Sequence, residues 1–351
     1  MFPFKDDHFA PLNRWYIAAW SNELTTTPFE RWILDEPVAM YRTEDGQCVA
    51  VDGRCPHHLF PLGKSKLNGN NIRCGYHGLE FAPDGSCVAA PFLDHIPSSC
   101  RIKSYAVAER WEWVWIWPGD PALADESLIP DHFDIKLTDP AYLAEPARHA
   151  EINARYQLIN DNLLDLTHVE VLHASTIGEA GVGRVKEEVT SGDGWIKSDR
   201  YLPDTSVPPA FQLFLGDQMV DRRFGMKWQM PALHVGYDLF TQPASQGNGA
   251  HVGQLNVFHA VTPARKHACH YFVATSRDFG VEDKNASTMF RAAVSATLDE
   301  DMFAAEEVER HLQATSTPRE LLFRSDATLV KGRRMLEELM ASEKSLLEIT
   351  R

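Results

Sequence analysis

Two short Cys/His motifs in the first hundred residues place the strongest limit on how this chain folds. The string CPH begins at Cys55, and CGYH begins at Cys74 after sixteen intervening residues. Each motif supplies one thiolate and one imidazole, and the proline or glycine inside it favours a tight turn. Two such turns that face each other hold two irons, with Cys55 and Cys74 on one and His57 and His77 on the other. This is the ligand set of a Rieske [2Fe-2S] centre.

Two alternatives to the iron–sulfur interpretation stay open at this point. Zinc sites also use C-x-H and C-x2-H spacings, so the motifs could form a Cys2His2 zinc site. The four residues could also be unrelated to one another. The complete string C-P-H-x16-C-x2-H-G is far more specific than a single C-x2-C pair, which favours the iron–sulfur centre. His58 is expected outside the ligand set, because adjacent loop side chains do not both face one iron easily.

Length and charge exclude several kinds of partner. The chain has 351 residues, enough for two domains, and its net charge of −15 argues against nucleic acid and anionic membranes as partners. The first residues, MFPFKDDHF, lack the pattern of a secretory signal, and no run of about 18 apolar residues predicts a transmembrane helix. We therefore expect a cytoplasmic protein, in which the six cysteines favour a metal site over disulfides.

The iron–sulfur segment is similar to a known domain. CPHHLFPLG and CGYHGLEF resemble the Rieske domain of bacterial aromatic-ring and O-demethylating oxygenases, as do WYIAA from Trp15 and WIWPGD from Trp115. The resemblance implies an α+β protein with an all-β Rieske [2Fe-2S] domain over residues 1–125. A catalytic domain over residues 126–351 follows, with a curved antiparallel sheet flanked by helices, of the helix-grip type. Helical patterns over about 156–173, 287–311 and 327–342 agree with this order.

A second metal motif, DNLLDLTHVEVLH, begins at Asp161 within the first helical pattern. On a continuous helix, Asp161, Asp165 and His168 share one face, and a helix end could turn His173 to the same side. Two imidazoles and one carboxylate bind Fe(II) and leave positions open for O2, as non-haem oxygenases require. Taken alone, the pattern is also compatible with a solvated helix face or a capped helix.

This motif resembles the D-x3-D-x2-H-x4-H string of the same oxygenases. The resemblance implies that His168 and His173 bind the mononuclear iron and that Asn162 lies close to it. It also implies that Asp165 hydrogen-bonds the histidines and links them, through His77, to the Rieske centre of a neighbouring subunit. A carboxylate in such a place fixes imidazole tautomers.

The third iron ligand is expected to be a late carboxylate in the run DED over residues 299–301. On a helix, Asp301 shares its face with apolar residues such as Leu298 and Ala305, so it points toward a core. A buried acid needs a partner, such as a metal. Glu300 shares its face with Glu307 and is expected to be solvated. Asp301 is therefore the predicted ligand, in agreement with the x-E-D form of the family, and a surface acid is the alternative.

The resemblance covers nearly the whole chain and is closest to the branch of vanillate and dicamba O-demethylases and toluenesulfonate methyl-monooxygenase. It is carried by DNLLDLTH, by YF and SRDFG before and after residue 275, and by GRR from Gly332, although Asn is usual where Asp278 stands. It implies an oxygenase component that uses O2 to hydroxylate a methyl group of a small aromatic substrate. The expected reaction is O-demethylation of a methoxybenzoate with release of formaldehyde.

Other expectations concern partners and substrate contacts. No G-x-G-x-x-G follows a strand, so NAD(P)H must act through a separate reductase, alone or with a ferredoxin. The chain is shorter than the catalytic subunits of ring-hydroxylating dioxygenases, which favours a homotrimer, and the resemblance implies an aromatic acid as substrate. His259 and His234 are candidate substrate contacts, although each could equally be a core histidine.

Two rival functions remain. An aryl sulfonate methyl-monooxygenase or a ring-hydroxylating dioxygenase would use the same metals on another aromatic acid. A soluble Rieske ferredoxin, which only carries electrons, would account for residues 1–120 and leave the second motif unexplained.

Overall fold

The computed structural model describes residues 9–177, 181–246 and 249–349. The chain separates into two compact units. The first comprises Ala10–Ile129 together with Thr262–Lys266, and the second contains Pro130–Val261 and the chain from His267 onward. None of the described helices is long and apolar enough to cross a membrane.

The first unit is built from short strands arranged in three small sheets, with orders β1-β10-β9, β2-β3-β4 and β5-β6-β7-β8. Its core is aromatic and aliphatic, and the strand with alternating tryptophans is buried along its whole length. Such residues favour strands because they pack well on a pleated surface. The strands are β1 Tyr16–Trp20, β2 Phe29–Ile33, β3 Glu36–Arg42, β4 Cys48–Asp52, β5 Lys66–Asn68, β6 Asn71–Arg73, β7 Glu80–Phe81, β8 Cys87–Ala89, β9 Ala106–Arg110 and β10 Trp113–Trp117.

The second unit contains a seven-stranded sheet of order β11-β17-β16-β15-β14-β13-β12. Its strands are β11 Leu143–Ile152, β12 Glu187–Gly192, β13 Trp195–Ser206, β14 Met219–Gln229, β15 Leu233–Thr241, β16 His251–Arg265 and β17 Ala268–Arg277. The helices are α1 Tyr156–Leu164, α2 Val169–Leu172, α3 Pro209–Leu215, α4 Lys284–Ala314 and α5 Ala327–Ile349. Helix α1 packs against α4, α5 and β14, which brings the second metal motif between the last two long helices and the sheet.

The expected continuous helix over about 156–173 is wrong. Helix α1 ends at Leu164, a 3-10 turn covers Leu166–His168, and α2 is a separate short helix. The break falls at Asp165, whose backbone is extended and whose carboxylate accepts hydrogen bonds from the backbone N–H and hydroxyl of Thr167. An aspartate that bonds the backbone two residues ahead offers the chain an alternative to the helix.

Candidate metal centres and active site

The two Cys/His turns have the same backbone plan. The N–H of Leu59 donates to the carbonyl of Cys55, and the N–H of Gly78 donates in the same way to Cys74. Leu59 and Gly78 both adopt positive φ, which closes each turn. Each cysteine N–H also donates to the carbonyl five residues ahead. The two motifs therefore form a matched pair of turns, as the sequence predicts.

The side chains of these turns separate into a thiol pair and an imidazole pair. Cys55 and Cys74 are buried, form no disulfide, and belong to one hydrophobic core. Burial is the main cause that raises the pKa of Cys55 to about 11. His57 and His77 are exposed, with their ring centroids 4.6 Å apart. Thiols at one end and imidazoles at the other suit a binuclear cluster.

The zinc alternative requires all four ligand atoms to converge on one ion. Among the residues that the structure describes, the single group of three or more His, Cys, Asp or Glu side chains that converges in this way is His168, His173 and Asp301. In the Cys/His turns the thiols are buried and the imidazoles exposed, an arrangement that suits two irons with separate ligand pairs. His58 is exposed and stacks on His57, as expected of a residue outside the ligand set.

The second motif and helix α4 meet in a three-sided site. His168 Nε2 lies 3.2 Å from His173 Nε2, and Asp301 Oδ1 lies 3.1 Å from His173 Nε2 and 3.6 Å from His168 Nε2. Asp301 and His173 are buried, whereas His168 is partly exposed. Asn162, on the preceding helix, donates its amide to Asp301 Oδ1 at 2.9 Å.

Hydrogen bonds on the far side of each ring determine what these histidines offer. His168 Nδ1 faces the carbonyl oxygen of Asp165, and His173 Nδ1 lies 2.7 Å from Glu300 Oε2. Because both partners only accept, each Nδ1 carries the proton and each Nε2 presents a lone pair. When both rings are neutral, two lone pairs and a carboxylate oxygen lie around one space, which suits a cation. The donor set of two imidazoles and one carboxylate fits a non-haem Fe(II).

The charges around the site agree with this interpretation. Burial lowers the pKa of His168, and nearby Asp301 offsets this only in part. Burial also acts to lower the pKa of His173, but the carboxylates of Asp301 and Glu300 outweigh it and raise that pKa. A histidine held between two carboxylates attracts a positive charge, and a metal ion supplies it in exchange for a proton.

Two acids near the site have partners that the sequence did not predict. Glu300 is only partly exposed: it bonds His173 and accepts from the hydroxyls of Ser175 and Thr176 at 2.9 and 2.8 Å. Helix-face reasoning missed these contacts because the groups that make them come from His173 and the segment after it. Asp161 accepts from the Arg333 guanidinium at 2.9 and 2.7 Å.

The carboxylate of Asp165 does not contact the two histidines in the described hydrogen bonds. Its Oδ1 accepts from Thr167, and its backbone carbonyl rather than its side chain faces His168. The residue therefore positions His168 through the main chain.

His234 and His259 are direct neighbours on β15 and β16 and share one face of the sheet. Burial lowers the pKa of His259 to about 4, and the charges of Asp301 and His173 also act on it. His259 Nδ1 lies 2.6 Å from the Tyr271 hydroxyl. His234 Nε2 lies 2.9 Å from Asn160 Oδ1, while its Nδ1 is buried without a hydrogen-bond partner.

Comparison with known proteins agrees with both sites. Residues 14–106 match the Rieske [2Fe-2S] domain, and residues 152–342 match the vanillate O-demethylase oxygenase C-terminal domain. Dicamba O-demethylase, oxygenase component, of Stenotrophomonas maltophilia is 33% identical over 93% of this chain and 97% of its own. The iron–sulfur subunit of the toluene-4-sulfonate monooxygenase system of Comamonas testosteroni is 35% identical over 94% of this chain and 97% of its own. The crystal structure of dicamba monooxygenase bound to 3,6-dichlorosalicylic acid matches with a TM-score of 0.87 and 33% identity, covering 95% of this chain and 98% of that one.

Fold, sites and comparisons define the class: this chain is a Rieske non-haem iron oxygenase. Within that class it belongs to the family characterised by the vanillate O-demethylase oxygenase C-terminal domain. The predicted α+β architecture is confirmed, and so are the predicted cofactors, a Rieske [2Fe-2S] cluster and a mononuclear iron.

Proposed function

We propose that this oxygenase removes the methyl group of a methoxybenzoate-type aromatic acid by oxidation. The observation that carries the proposal is His259, a neutral imidazole paired with His234 on the sheet and within reach of the charges of Asp301 and His173. The relatives named for dicamba and toluene-4-sulfonate act on aromatic acids and are similar to this chain over almost its full length.

In this proposal, His168, His173 and Asp301 hold the mononuclear iron, and Cys55, Cys74, His57 and His77 hold the cluster. Iron bound in this way would activate O2, and the electrons for this would come from the cluster. Asn162 holds the Asp301 carboxylate in place. The buried walls of the site exclude water, so that oxidation is directed to the substrate.

The overall reaction balances with two electrons and two protons. A methoxyarene, O2, two electrons and two protons give a hydroxymethyl ether and water. The hydroxymethyl ether is a hemiacetal, and it collapses to a phenol and formaldehyde. If the methyl group is on carbon instead of oxygen, the same hydroxylation leaves a stable hydroxymethyl product.

The substrate acid is proposed to lie against the two histidines. Burial lowers the pKa of both His234 and His259, which keeps the two rings neutral at physiological pH. Neutral His259 keeps one N–H, on Nε2, for a carboxylate or sulfonate oxygen, because its Nδ1 is bonded to Tyr271. Neutral His234 donates its one N–H to Asn160 Oδ1, so it borders the substrate acid without donating to it. Tyr271 fixes the ring of His259, and Asn160 fixes that of His234.

The proposal extends to partners and assembly. A separate reductase, alone or with a ferredoxin, passes electrons from NAD(P)H to the part of the chain over residues 1–125, and residues 126–351 perform the oxidation in the cytoplasm. A homotrimer would place His77 of one copy near Asp165 of the next. The second carboxylate oxygen of Asp165 would then accept from that histidine. Native mass measurement tests this, and a monomer would contradict it.

A turnover assay tests the proposed reaction. Iron-loaded protein is combined with a surrogate reductase and NADH, then offered methoxybenzoates, methylbenzoates and toluene-4-sulfonate, and formaldehyde and aromatic products are measured. Formaldehyde with a matching phenol is the expected result. A hydroxymethyl product or a diol without formaldehyde would refute O-demethylation and favour the methyl-monooxygenase or the ring-hydroxylating dioxygenase.

A matched pair of variants connects that activity to the second site. His168→Ala is expected to abolish turnover and leave the Rieske spectrum intact, because the two metal sites share no ligand. His58→Ala, which changes a histidine outside both ligand sets, is the control and is expected to retain turnover. Activity in His168→Ala would contradict the assignment.

A further inference from the structure

A glycine lies next to the two histidines on the inner face of the sheet. Strands β14, β15 and β16 are in register, so Met226, Gly236 and Val257 form one row and Trp228, His234 and His259 form the adjacent row. Directly paired residues share a face, and residues two apart on a strand do so too. Gly236 is therefore beside both histidines and faces the same interior.

Backbone conformation does not explain this glycine. Gly236 does not have a positive φ, so its backbone conformation is open to any residue. A glycine inside a strand weakens the strand and often marks a place where another group approaches closely. Glycine at position 236 is therefore explained by the space in front of its Cα atom.

Met226 and His259 border that space. A Cβ atom at position 236 would lie 3.3 Å from Met226 Cε, 3.6 Å from the Val257 carbonyl oxygen and 3.7 Å from His259 Nε2. The terminal methyl of Met226 thus lies over the glycine, next to the ring nitrogen of His259. Any side chain at 236 must compete with Met226 for the room beside His259.

His259 turns a defined edge toward this room. Its Nδ1 is bonded to the Tyr271 hydroxyl, so Nε2 is the nitrogen left for a ligand. Burial raises the pKa of Tyr271, so its hydroxyl stays protonated and donates to Nδ1, and Nε2 then carries the N–H. The acceptor end of a ligand bound by His259 therefore lies beside Met226 and Gly236. Methionine is the most adaptable apolar side chain and adjusts to irregular shapes.

We propose that Met226 and Gly236 form an adjustable wall that limits how bulky the acidic end of a ligand beside His259 can be. This inference rests on the proposed function, since it assigns His259 to the substrate acid. Met226 and Gly236 are specificity-determining residues in this scheme and take no part in proton or electron transfer.

Ligand binding to the iron-loaded, unreduced holoenzyme tests the proposal without turnover. Calorimetric dissociation constants are measured for benzoate, benzenesulfonate and 2,6-dichlorobenzoate with wild type, Gly236→Ala, Met226→Ala and the double variant. Gly236→Ala should weaken both bulky probes by about 10–200-fold, the range for one methylene-sized misfit, and benzoate by less than about 3-fold. Weakening of one bulky probe alone identifies sulfonate or ortho bulk as the feature recognised.

The double variant provides the stricter test. The methyl group added by Gly236→Ala is expected to act by pushing Met226 into the site. Removing the Met226 side chain should then restore the affinity for the bulky probes to within about 3-fold of that of the Met226→Ala single variant. Iron content, the Rieske spectrum and the melting temperature establish that each variant is folded.

Two results would overturn the inference, and they are distinguishable. Equal losses of affinity for all three probes, or no loss of affinity in Gly236→Ala, would refute the role of Met226 and Gly236 as a wall and leave the proposed function intact. If wild type binds none of the three acids, the proposed function fails and the inference fails with it.

Discussion

We expect Glu300 to affect how firmly the mononuclear iron is held, and its removal provides a quantitative test. Its carboxylate accepts from His173 Nδ1 at 2.7 Å and from the hydroxyls of Ser175 and Thr176. In Glu300→Gln the amide retains the shape and loses the charge that keeps the Nδ1 proton in place and the His173 ring basic. Loss of such a partner of a metal-bound histidine weakens metal binding by about 10–100-fold. This corresponds to about 1.4–2.7 kcal/mol of binding free energy.

Iron competition with a chelator measures this loss, and the Rieske absorption in the same sample serves as an internal reference. The control is Asp299→Asn, which removes the adjacent charge on α4. Asp299 pairs with Arg148 and is largely exposed, so iron affinity should stay near that of wild type. An unchanged iron affinity in Glu300→Gln, or an equal loss in Asp299→Asn, would refute the reasoning.

Two further predictions concern stability. Burial opposes ionisation of Glu309, but the hydrogen bonds from Arg155 outweigh it and lower the pKa of Glu309 to about 2. This depressed pKa contributes about 3 kcal/mol to the free energy of unfolding above pH 4.5, and the contribution is lost as the pH falls toward 2. In urea unfolding, Glu309→Gln should therefore be less stable than wild type at pH 7, by a difference that shrinks in acid. A difference in stability that does not depend on pH would contradict this. Phe81 is fully buried in the same hydrophobic core as Cys55 and Cys74, so Phe81→Ala should cost about 3–5 kcal/mol in chemical unfolding and weaken retention of the iron–sulfur cluster. A stable, cluster-loaded variant would contradict this.

The metal motifs were predictable from sequence because ligands act through residue type and spacing. The Cys55 and Cys74 turns, and the grouping of His168 and His173 with Asp301, follow from which side chains bind iron and from a helical face that points inward. The contacts that orient these ligands were not predictable in the same way. Asp165 breaks the expected helix by bonding Thr167, a local competition that hydrophobic periodicity does not register.

Contacts between distant segments escaped sequence reasoning altogether. Glu300 is reached by Ser175 and Thr176 only once the segment after His173 folds over α4. The ion pair of Asp161 with Arg333 joins residues 172 positions apart, and no sequence pattern indicates it. The register of the sheet could not be predicted from sequence either. The position of Gly236 beside His259 depends on how β15 pairs with β16.

Metal analysis tests the central claim most directly. Anaerobically purified protein should contain about three irons per chain, two with sulfide in the cluster and one in the second site. Cys74→Ser should lose the Rieske spectrum and retain one iron, and His168→Ala should retain the spectrum and lose one iron. Zinc in place of iron, or two irons in wild type with no change in His168→Ala, would contradict the account of a Rieske centre coupled to a separate iron site.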